Sequence, residues 1–155
     1  MINLIVAYDF GIIDKSVVLD FAKEKNVIFP DLYVEFISMH NGGQFVENNF
    51  IFFDEADNYI ESNIGFCSYG NIVGNENIED CQDYDIYGYD NLITFGLDGG
   101  GDYIAFDYRK DPLTNNPPVV FMYHDEYITD HNNQIKMKVI QVANNFEDFV
   151  KMLHD

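Results

Sequence analysis

Helix-forming patterns stand towards both ends of this 155-residue chain and enclose a run of short, β-rich stretches. Residues 14–25, 29–43 and 144–153 place apolar side chains at helical spacing. The strand-like stretches between them are residues 49–53, 91–96, 102–108, 118–124 and 134–139. Because the strands are grouped rather than alternating with helices, we predict an α+β fold over residues 1–155: a single domain with a mixed, mostly antiparallel sheet flanked by helices.

Local signals indicate where the three helices begin. Asp14 can cap the first, Pro30 suits the first turn of the second, and Asn144 with Glu147 has capping-box spacing at the third. The apolar stripes predicted to face the core are Val17, Val18, Phe21 and Ala22, then Leu32, Phe36 and Met39, then Phe146, Phe149, Val150 and Leu153.

Three consecutive glycines between two aspartates mark residues 95–107, "FGLDGGGDYIAFD". A phosphate-binding loop is not indicated, since no lysine follows and Asp98 and Asp102 would repel phosphate. Together with Asp107 they offer oxygens for calcium, but the EF-hand spacing is absent. Glycines between two strands favour a hairpin corner or a bulge, with Ile104 and Phe106 on one face of the following strand.

The charge of the chain is strongly negative and unevenly distributed. There are 27 acidic residues against 8 Lys and Arg, a formal net charge of −19. No Lys or Arg occurs from residue 26 to residue 108. A polyanion such as nucleic acid is therefore not expected as a direct ligand, and a basic protein or a cation would be complementary. The excess acid could also serve only to keep the protein soluble.

Cysteine content and hydropathy indicate the compartment. Cys67 and Cys81 are the only cysteines and lack metal-site spacing, which suits a reduced compartment better than a disulfide scaffold. Residues 1–11 have no basic region or cleavage site of a signal peptide. No stretch reaches the roughly 18 apolar residues that span a bilayer. We expect a cytoplasmic protein without a membrane partner.

Candidate catalytic and metal-binding groups can be collected, but none forms a recognisable motif. His124 and His131 could bind a metal with neighbouring acids, namely Asp125, Glu126 and Asp130, or could belong to a solvated loop. Either cysteine with His124 could form a thiol hydrolase, yet no nucleophile motif surrounds them. We predict no enzymatic activity, no metal and no cofactor.

Tyrosines alternate with carboxylates in residues 54–61 and 79–91, a combination that suits a surface for a Lys- or Arg-rich protein. The predicted partner-binding residues are Asp54, Glu55, Asp57, Glu79, Asp80, Asp83, Tyr84, Asp85, Tyr87, Tyr89 and Asp90. In the alternative interpretation, the tyrosines pack inside the protein and the acids simply face solvent.

Four of these stretches occur in an order that resembles the SUKH superfamily, which includes a fungal cell-wall-synthesis regulator and bacterial toxin-immunity proteins. They are residues 29–43, 95–107, 117–126 and 142–153. Phe29 departs from the pattern, in which an aliphatic residue is more usual. The resemblance implies an α+β fold with a mixed sheet flanked by helices, no enzymatic activity and, for many bacterial members, neutralisation of a cognate toxin domain.

These observations together predict a non-catalytic immunity protein that binds a basic toxin domain, possibly a nuclease, through an acidic surface. The alternative is a regulatory scaffold with an endogenous partner, as the fungal relatives suggest. A metal- or cysteine-dependent enzyme is a third and less favoured hypothesis.

Overall fold

A computed structural model describes residues 2–155. The helices are α1 (Lys15–Glu24), α2 (Asp31–Met39), α3 (Tyr84–Tyr87) and α4 (Phe146–Lys151), with a short 3-10 helix, Ile78–Cys81, before α3. The strands are β1 (Val6–Tyr8), β2 (Gln44–Phe45), β3 (Asn49–Phe53), β4 (Tyr59–Asn63), β5 (Gly65–Phe66), β6 (Leu92–Leu97), β7 (Tyr103–Asp107), β8 (Val119–Thr129) and β9 (Ile135–Ala143). Within residues 2–155, none of the helices combines the length and apolar character that a membrane crossing requires.

Five strands form the central sheet in the order β5-β6-β7-β8-β9, and every neighbouring pair in it is antiparallel. The pairs β1–β2 and β3–β4 form two small antiparallel sheets beside it. The predicted α+β class, with a mostly antiparallel sheet flanked by helices, is confirmed. β8 and β9 are longer than predicted because they continue past the end of β7 as a two-stranded ribbon.

The central sheet separates two hydrophobic clusters. Ile104 and Phe106 of β7 point into the larger cluster, as the alternation predicted, and Ala105 points into the smaller one. Helices α1, α2 and α4 and the β3–β4 sheet cover the larger cluster, whereas α3 covers the smaller one. Tyr33 of α2 is fully buried in the larger cluster, with its ring centre 5.1 Å from that of Phe106.

The glycine-rich residues 95–107 form the β6–β7 hairpin, as predicted. Asp98 organises the loop, because its Oδ1 accepts the backbone N–H groups of Gly100 at 2.9 Å and Asp102 at 2.8 Å. Gly101 has a φ of +90°, which residues with a side chain rarely adopt. The pairing of β6 with β7 also contains a register shift. The stretch is therefore both a hairpin corner and the site of a bulge.

The helix ends are close to those predicted. Asp14 caps α1 by accepting the N–H of Ser16 at 2.9 Å. The cap of α4 is Asn145 rather than Asn144, since it is the side chain of Asn145 that accepts the N–H of Asp148, at 2.8 Å. Asn144 and Asn145 carry the same capping group, but Asn145 is the residue that directly precedes the first turn of the helix.

Two residues of the predicted apolar stripes face solvent. Val17 of α1 and Met39 of α2 are exposed, whereas Val18 and Ile37 are buried. The buried face of α1 consists of Val18, Phe21 and Ala22, and that of α2 runs from Tyr33 to Ser38, so Val17 and Met39 lie just outside these faces.

Candidate functional site

Residues 54–58 form the turn that joins β3 to β4. Asp54 accepts two backbone N–H groups of this turn, both at 2.9 Å, and hydrogen bonds from Asn58 hold the pKa of Asp54 below its usual value. Its carboxylate therefore stabilises the turn. Glu55 and Asp57 are exposed, as a binding role would require.

The second predicted segment, residues 79–90, is called the α3 segment here. Its exposed carboxylates are Glu79, Asp80, Asp85 and Asp90. Asp83 differs from these, because it accepts a hydrogen bond from the hydroxyl of Tyr103 at 2.8 Å and so fixes the start of α3 to β7. The segment thus mixes free surface charges with a carboxylate that has a structural contact.

The tyrosines of the α3 segment contribute little to its surface. Tyr87 is fully buried and Tyr89 is only 8 % exposed. Their hydroxyls donate to the backbone carbonyls of Leu92, at 3.1 Å, and Met137, at 2.8 Å. Burial raises the pKa of both tyrosines. For these two residues the alternative interpretation, internal packing, is correct; Tyr84 is half-buried.

Basic residues that are remote from the α3 segment in sequence lie against its rings in the structure. The Lys25 ammonium is 5.3 Å from the ring centre of Tyr84. Arg109 and Lys136 approach the ring of Tyr89 at 5.5 and 5.1 Å. Three cations therefore offset part of the negative charge that the uninterrupted acidic sequence indicates.

The two predicted acidic segments lie on opposite sides of the central sheet. Phe52, which precedes the 54–58 turn, packs on Phe121 of β8 in the larger cluster, with ring centres 5.0 Å apart. Tyr87 of α3 packs in the smaller cluster with Val120, the residue next to Phe121. Neighbouring residues of one strand point to opposite faces, so the structure does not join the two segments into one surface.

Beside the 54–58 turn, β8 contains a large bulge. The register between β8 and β9 slips between Met122 and Tyr127, so that four residues, Tyr123–Glu126, lie opposite the single residue Lys138. Bulges redirect side chains and are frequent next to functional sites. From the sequence, residues 124–126 are candidate metal ligands or part of a solvated loop, and His124 is also a candidate base of a thiol hydrolase. No local pattern signals the bulge.

The bulge is attached to the glycine loop by an ion pair. The backbone N–H and the ring Nδ1 of His124 both meet Oδ1 of Asp102, at 2.9 and 2.6 Å. This hydrogen bond raises the pKa of His124. Burial opposes ionisation of Asp102, but hydrogen bonds with Asp98 and His124 hold the pKa of Asp102 below its usual value. The pKa of Asp98 is shifted the other way, because burial and the neighbouring Asp102 raise it. A proton is therefore held more readily on Asp98 than on Asp102.

The metal-ligand sets considered in the sequence are only partly assembled. Asp107 lies at the opposite end of β7 from Asp102 and binds Arg109 at 2.9 Å, so the calcium set is not formed. Of the second set, His124 and Asp125 lie near Asp102, with one potential ligand atom of each within 4.8 Å of the others. The Nδ1 atom of His124 is already in a hydrogen bond with Asp102, so it is not free to bind a metal ion.

Tyr123 is the centre of an acidic surface built by three segments of the chain. Burial and four nearby carboxylates raise the pKa of Tyr123 to about 12. These carboxylates belong to Glu126, Asp54, Glu55 and Asp102. The Lys138 ammonium lies 5.4 Å from the Tyr123 ring centre and 3.2 Å from Glu55. We call this the bulge surface and define it as Asp54, Glu55, Asp102, Tyr123, Asp125 and Glu126.

Exposed aromatic side chains lie at the edges of the bulge surface. Phe53 and Tyr59 flank the 54–58 turn, are each 59 % exposed, and have ring centres 6.1 Å apart. Tyr127, the residue after the bulge, is also exposed, but it pairs with Met137 of the smaller cluster and therefore faces the side of the α3 segment. Phe53 and Tyr59 were not among the predicted partner-binding residues, although the alternation of β3, with Phe52 inward, could have placed Phe53 outward.

The cysteines do not pair with His124. Cys67 and Cys81 are buried in the larger cluster with their Sγ atoms 3.2 Å apart, while the hydrogen bond of His124 is made to Asp102. The nucleophile–base pair considered in the sequence is therefore not formed, and the two thiols are instead each other's neighbours.

The fold and its surfaces define a small α+β domain with carboxylates and aromatic side chains exposed on both sides of an antiparallel sheet. The profile of the SMI1 / KNR4 family (SUKH-1) matches residues 12–152, and the chain belongs to this family. The resemblance found in the sequence is thereby confirmed. Comparison with curated proteins and with solved structures gave no significant match.

Proposed function

We propose that this chain is a non-catalytic immunity protein that binds a basic toxin domain and blocks it, with the bulge surface as the contact. Membership of the SUKH-1 family is consistent with such a role. The observation that carries the proposal is the convergence of carboxylates from three segments around Tyr123. The α3 segment is less suited, because cations lie against its rings.

The bulge surface combines the two contributions that a protein interface needs. Phe53 and Tyr59 offer apolar area that a partner can cover, and aromatic residues are common centres of binding energy. Asp125 and Glu126 are exposed and can pair with Lys or Arg at the rim. The net charge of −19 would also accelerate encounter with a basic domain.

Inhibition by such a surface needs no chemistry from this chain. A toxin that acts on a polyanion such as nucleic acid must present Lys and Arg where its substrate binds. Carboxylates held on a protein surface can occupy the same groups and exclude the substrate. The resulting complex should weaken about tenfold or more when salt is raised from 50 to 500 mM, because rim charges are then screened.

The first experiment identifies the partner and tests its activity. The tagged protein is used to capture partners at low salt, and each captured domain is then expressed with and without this chain. We expect one basic domain that arrests growth alone and is harmless in combination. A captured domain that is harmless alone would contradict the immunity role.

Matched charge reversals then locate the contact. Glu55→Lys with Glu126→Lys alters the bulge surface, and Asp80→Lys with Asp85→Lys alters the α3 segment by the same charge. We expect about a hundredfold loss of affinity for the first double variant and less than threefold for the second. Equal losses, or a larger loss in the second, would move the contact away from the bulge surface.

A regulatory scaffold is the second candidate, favoured by membership of a family named for SMI1 and KNR4. Its partner would be an endogenous protein without toxicity, held by the same kind of surface. Growth of cells that express the captured partner alone separates the two functions, since only a toxin would arrest it.

A further inference from the structure

Cys67 and Cys81, separated by 14 positions in sequence, are buried side by side with 3.2 Å between their Sγ atoms. A disulfide bond needs about 2.05 Å, so the sulfurs must approach by only about 1 Å. We propose that the two cysteines form a thiol–disulfide site: a reagent that contains a disulfide bond oxidises them to an intramolecular cross-link. This inference does not depend on the proposed function.

Strand β6 forms hydrogen bonds with the chain at both cysteines. The N–H of Cys67 donates to the carbonyl of Phe95 in β6 at 3.0 Å. Gln82, the residue after Cys81, forms two hydrogen bonds with the backbone of Thr94, at 3.1 and 2.8 Å. Because Thr94 and Phe95 are consecutive residues of one strand, this part of β6 holds the chain at Cys67 and the chain next to Cys81 close together.

The reaction is a double exchange. One cysteine thiolate attacks a sulfur of the reagent, forms a mixed disulfide and releases one reagent thiolate. The thiolate of the other cysteine then attacks the cysteine sulfur of that mixed disulfide and releases the second reagent thiolate. Two electrons pass from the cysteine pair to the reagent, and the two released thiolates can take up the two cysteine protons. The reagent is any disulfide of suitable potential, for example oxidised glutathione.

Oxidation of the folded protein should be slow unless the loop between the two cysteines opens. The hydrogen bond with Cys81 and burial raise the pKa of Cys67, which leaves little reactive thiolate. Residues 70–74 belong to the loop that joins the two cysteines and are mostly exposed, with Val73 94 % exposed. The side chain of Asn77 closes the segment by two hydrogen bonds with the backbone of Ile72, at 2.8 and 3.1 Å. Local opening at this contact provides a route for the reagent.

The test incubates the reduced, folded protein with oxidised glutathione and follows intact mass, peptide mass and Tm. We expect a monomer that has lost two hydrogen atoms, carries no glutathione and joins the peptides of Cys67 and Cys81. Its Tm should exceed that of the reduced protein by roughly 6–12 °C, because the cross-link restricts the unfolded chain. The variants Cys67→Ser and Cys81→Ser should instead retain glutathione and show no such rise.

Three results would overturn the proposal. These are a glutathione adduct that persists on the wild-type protein, a disulfide between two chains, and a folded protein that stays reduced under conditions that oxidise the urea-unfolded chain. The variant Asn77→Ala should be oxidised about tenfold faster to the same product. An unchanged rate would overturn the route through residues 70–74.

Discussion

The α3 segment and the bulge surface use the same residue types on opposite sides of the central sheet. In the α3 segment, Tyr87 and Tyr89 are buried and cations lie against the rings of Tyr84 and Tyr89. At the bulge surface, four carboxylates surround the half-buried Tyr123, and one cation, Lys138, is in contact with its ring. The same combination of tyrosines and carboxylates therefore occurs both in a packed element and at an open surface.

The difference follows from how each region is connected. The α3 segment is continuous in sequence, and its tyrosines pack in the smaller hydrophobic cluster with apolar residues from β6, β7, β8 and β9. The bulge surface is assembled from three separate segments, each of which contributes an end or a turn. Of the groups brought together in this way, Glu55, Asp125 and Glu126 remain exposed, while Tyr123 packs partly against the larger cluster.

The largest expected effect is the loss of folding stability when a tyrosine of each region is replaced by alanine. Tyr87→Ala removes a fully buried ring and its hydrogen bond to Leu92, and should lower the free energy of unfolding by about 3–5 kcal/mol. Tyr59→Ala, at an exposed tyrosine at the edge of the bulge surface, should change it by less than about 1 kcal/mol. Urea denaturation measures both. Equal losses would show that the two regions do not differ in this way.

A smaller effect should follow at the residue that attaches the α3 segment to the sheet. Gln82→Ala leaves the N–H and the carbonyl of Thr94 without their partner at the edge of β6, and should cost about 2 kcal/mol of unfolding free energy. Gln141, an exposed residue whose side chain donates to Asn144, is the matched control, and its replacement by alanine should cost less than about 0.5 kcal/mol. Urea denaturation again separates them, and similar costs would contradict a structural role of Gln82.

The fold itself was largely predictable from the sequence. Helical spacing and strand alternation are local signals, and they placed the starts of α1, α2, α4, β3, β6, β7, β8 and β9 within two residues. The asparagine pair Asn144 and Asn145 shows the limit of such signals, because both residues offer the same cap. The short elements β1, β2, β5 and α3 carry too few residues for a periodic pattern.

The candidate site was predictable only in part. The 54–58 turn was identified because its acids are adjacent in sequence, whereas Asp102, Asp125 and Glu126 join it through the bulge in β8, which no local pattern marks. The distribution of charge in the fold could likewise be predicted only in part from the sequence. Lys138 lies far from Glu55 in sequence but meets it at 3.2 Å, so a stretch free of Lys and Arg is not a region free of cations.

Two lysines of β9 give a matched test of the comparison in binding. Lys138 contacts Glu55 and the ring of Tyr123, while Lys136 contacts Asp130 and the ring of Tyr89. If the bulge surface binds a basic partner, Lys138→Met should raise the affinity about threefold by removing a repulsive charge, and Lys136→Met should leave it unchanged. Calorimetric titration with the captured partner measures both, and the opposite order would favour the α3 segment.

The smallest expected effect is a pH dependence of the ion pair between His124 and Asp102. The pKa of His124 is raised above its usual 6.5, so its contribution to stability is complete below that pH and is lost as pH rises through the folded pKa. The pKa of Asp102 is lowered from 3.8, so its contribution is present above that pH and is lost as pH falls through the folded pKa. The pair should stabilise the fold most between about pH 4 and 6.5.

Proton NMR titration of the His124 ring tests the cause of this shift directly. In the wild-type protein, we expect the pKa of His124 above that of an unfolded control peptide. Asp102→Asn should remove most of the difference, because the hydrogen bond to the carboxylate is its main cause. Asp125→Asn, which leaves that hydrogen bond in place, should remove less. If both variants shift the pKa equally, then the general negative field of the bulge surface, and not the specific pair, holds His124 in its charged form.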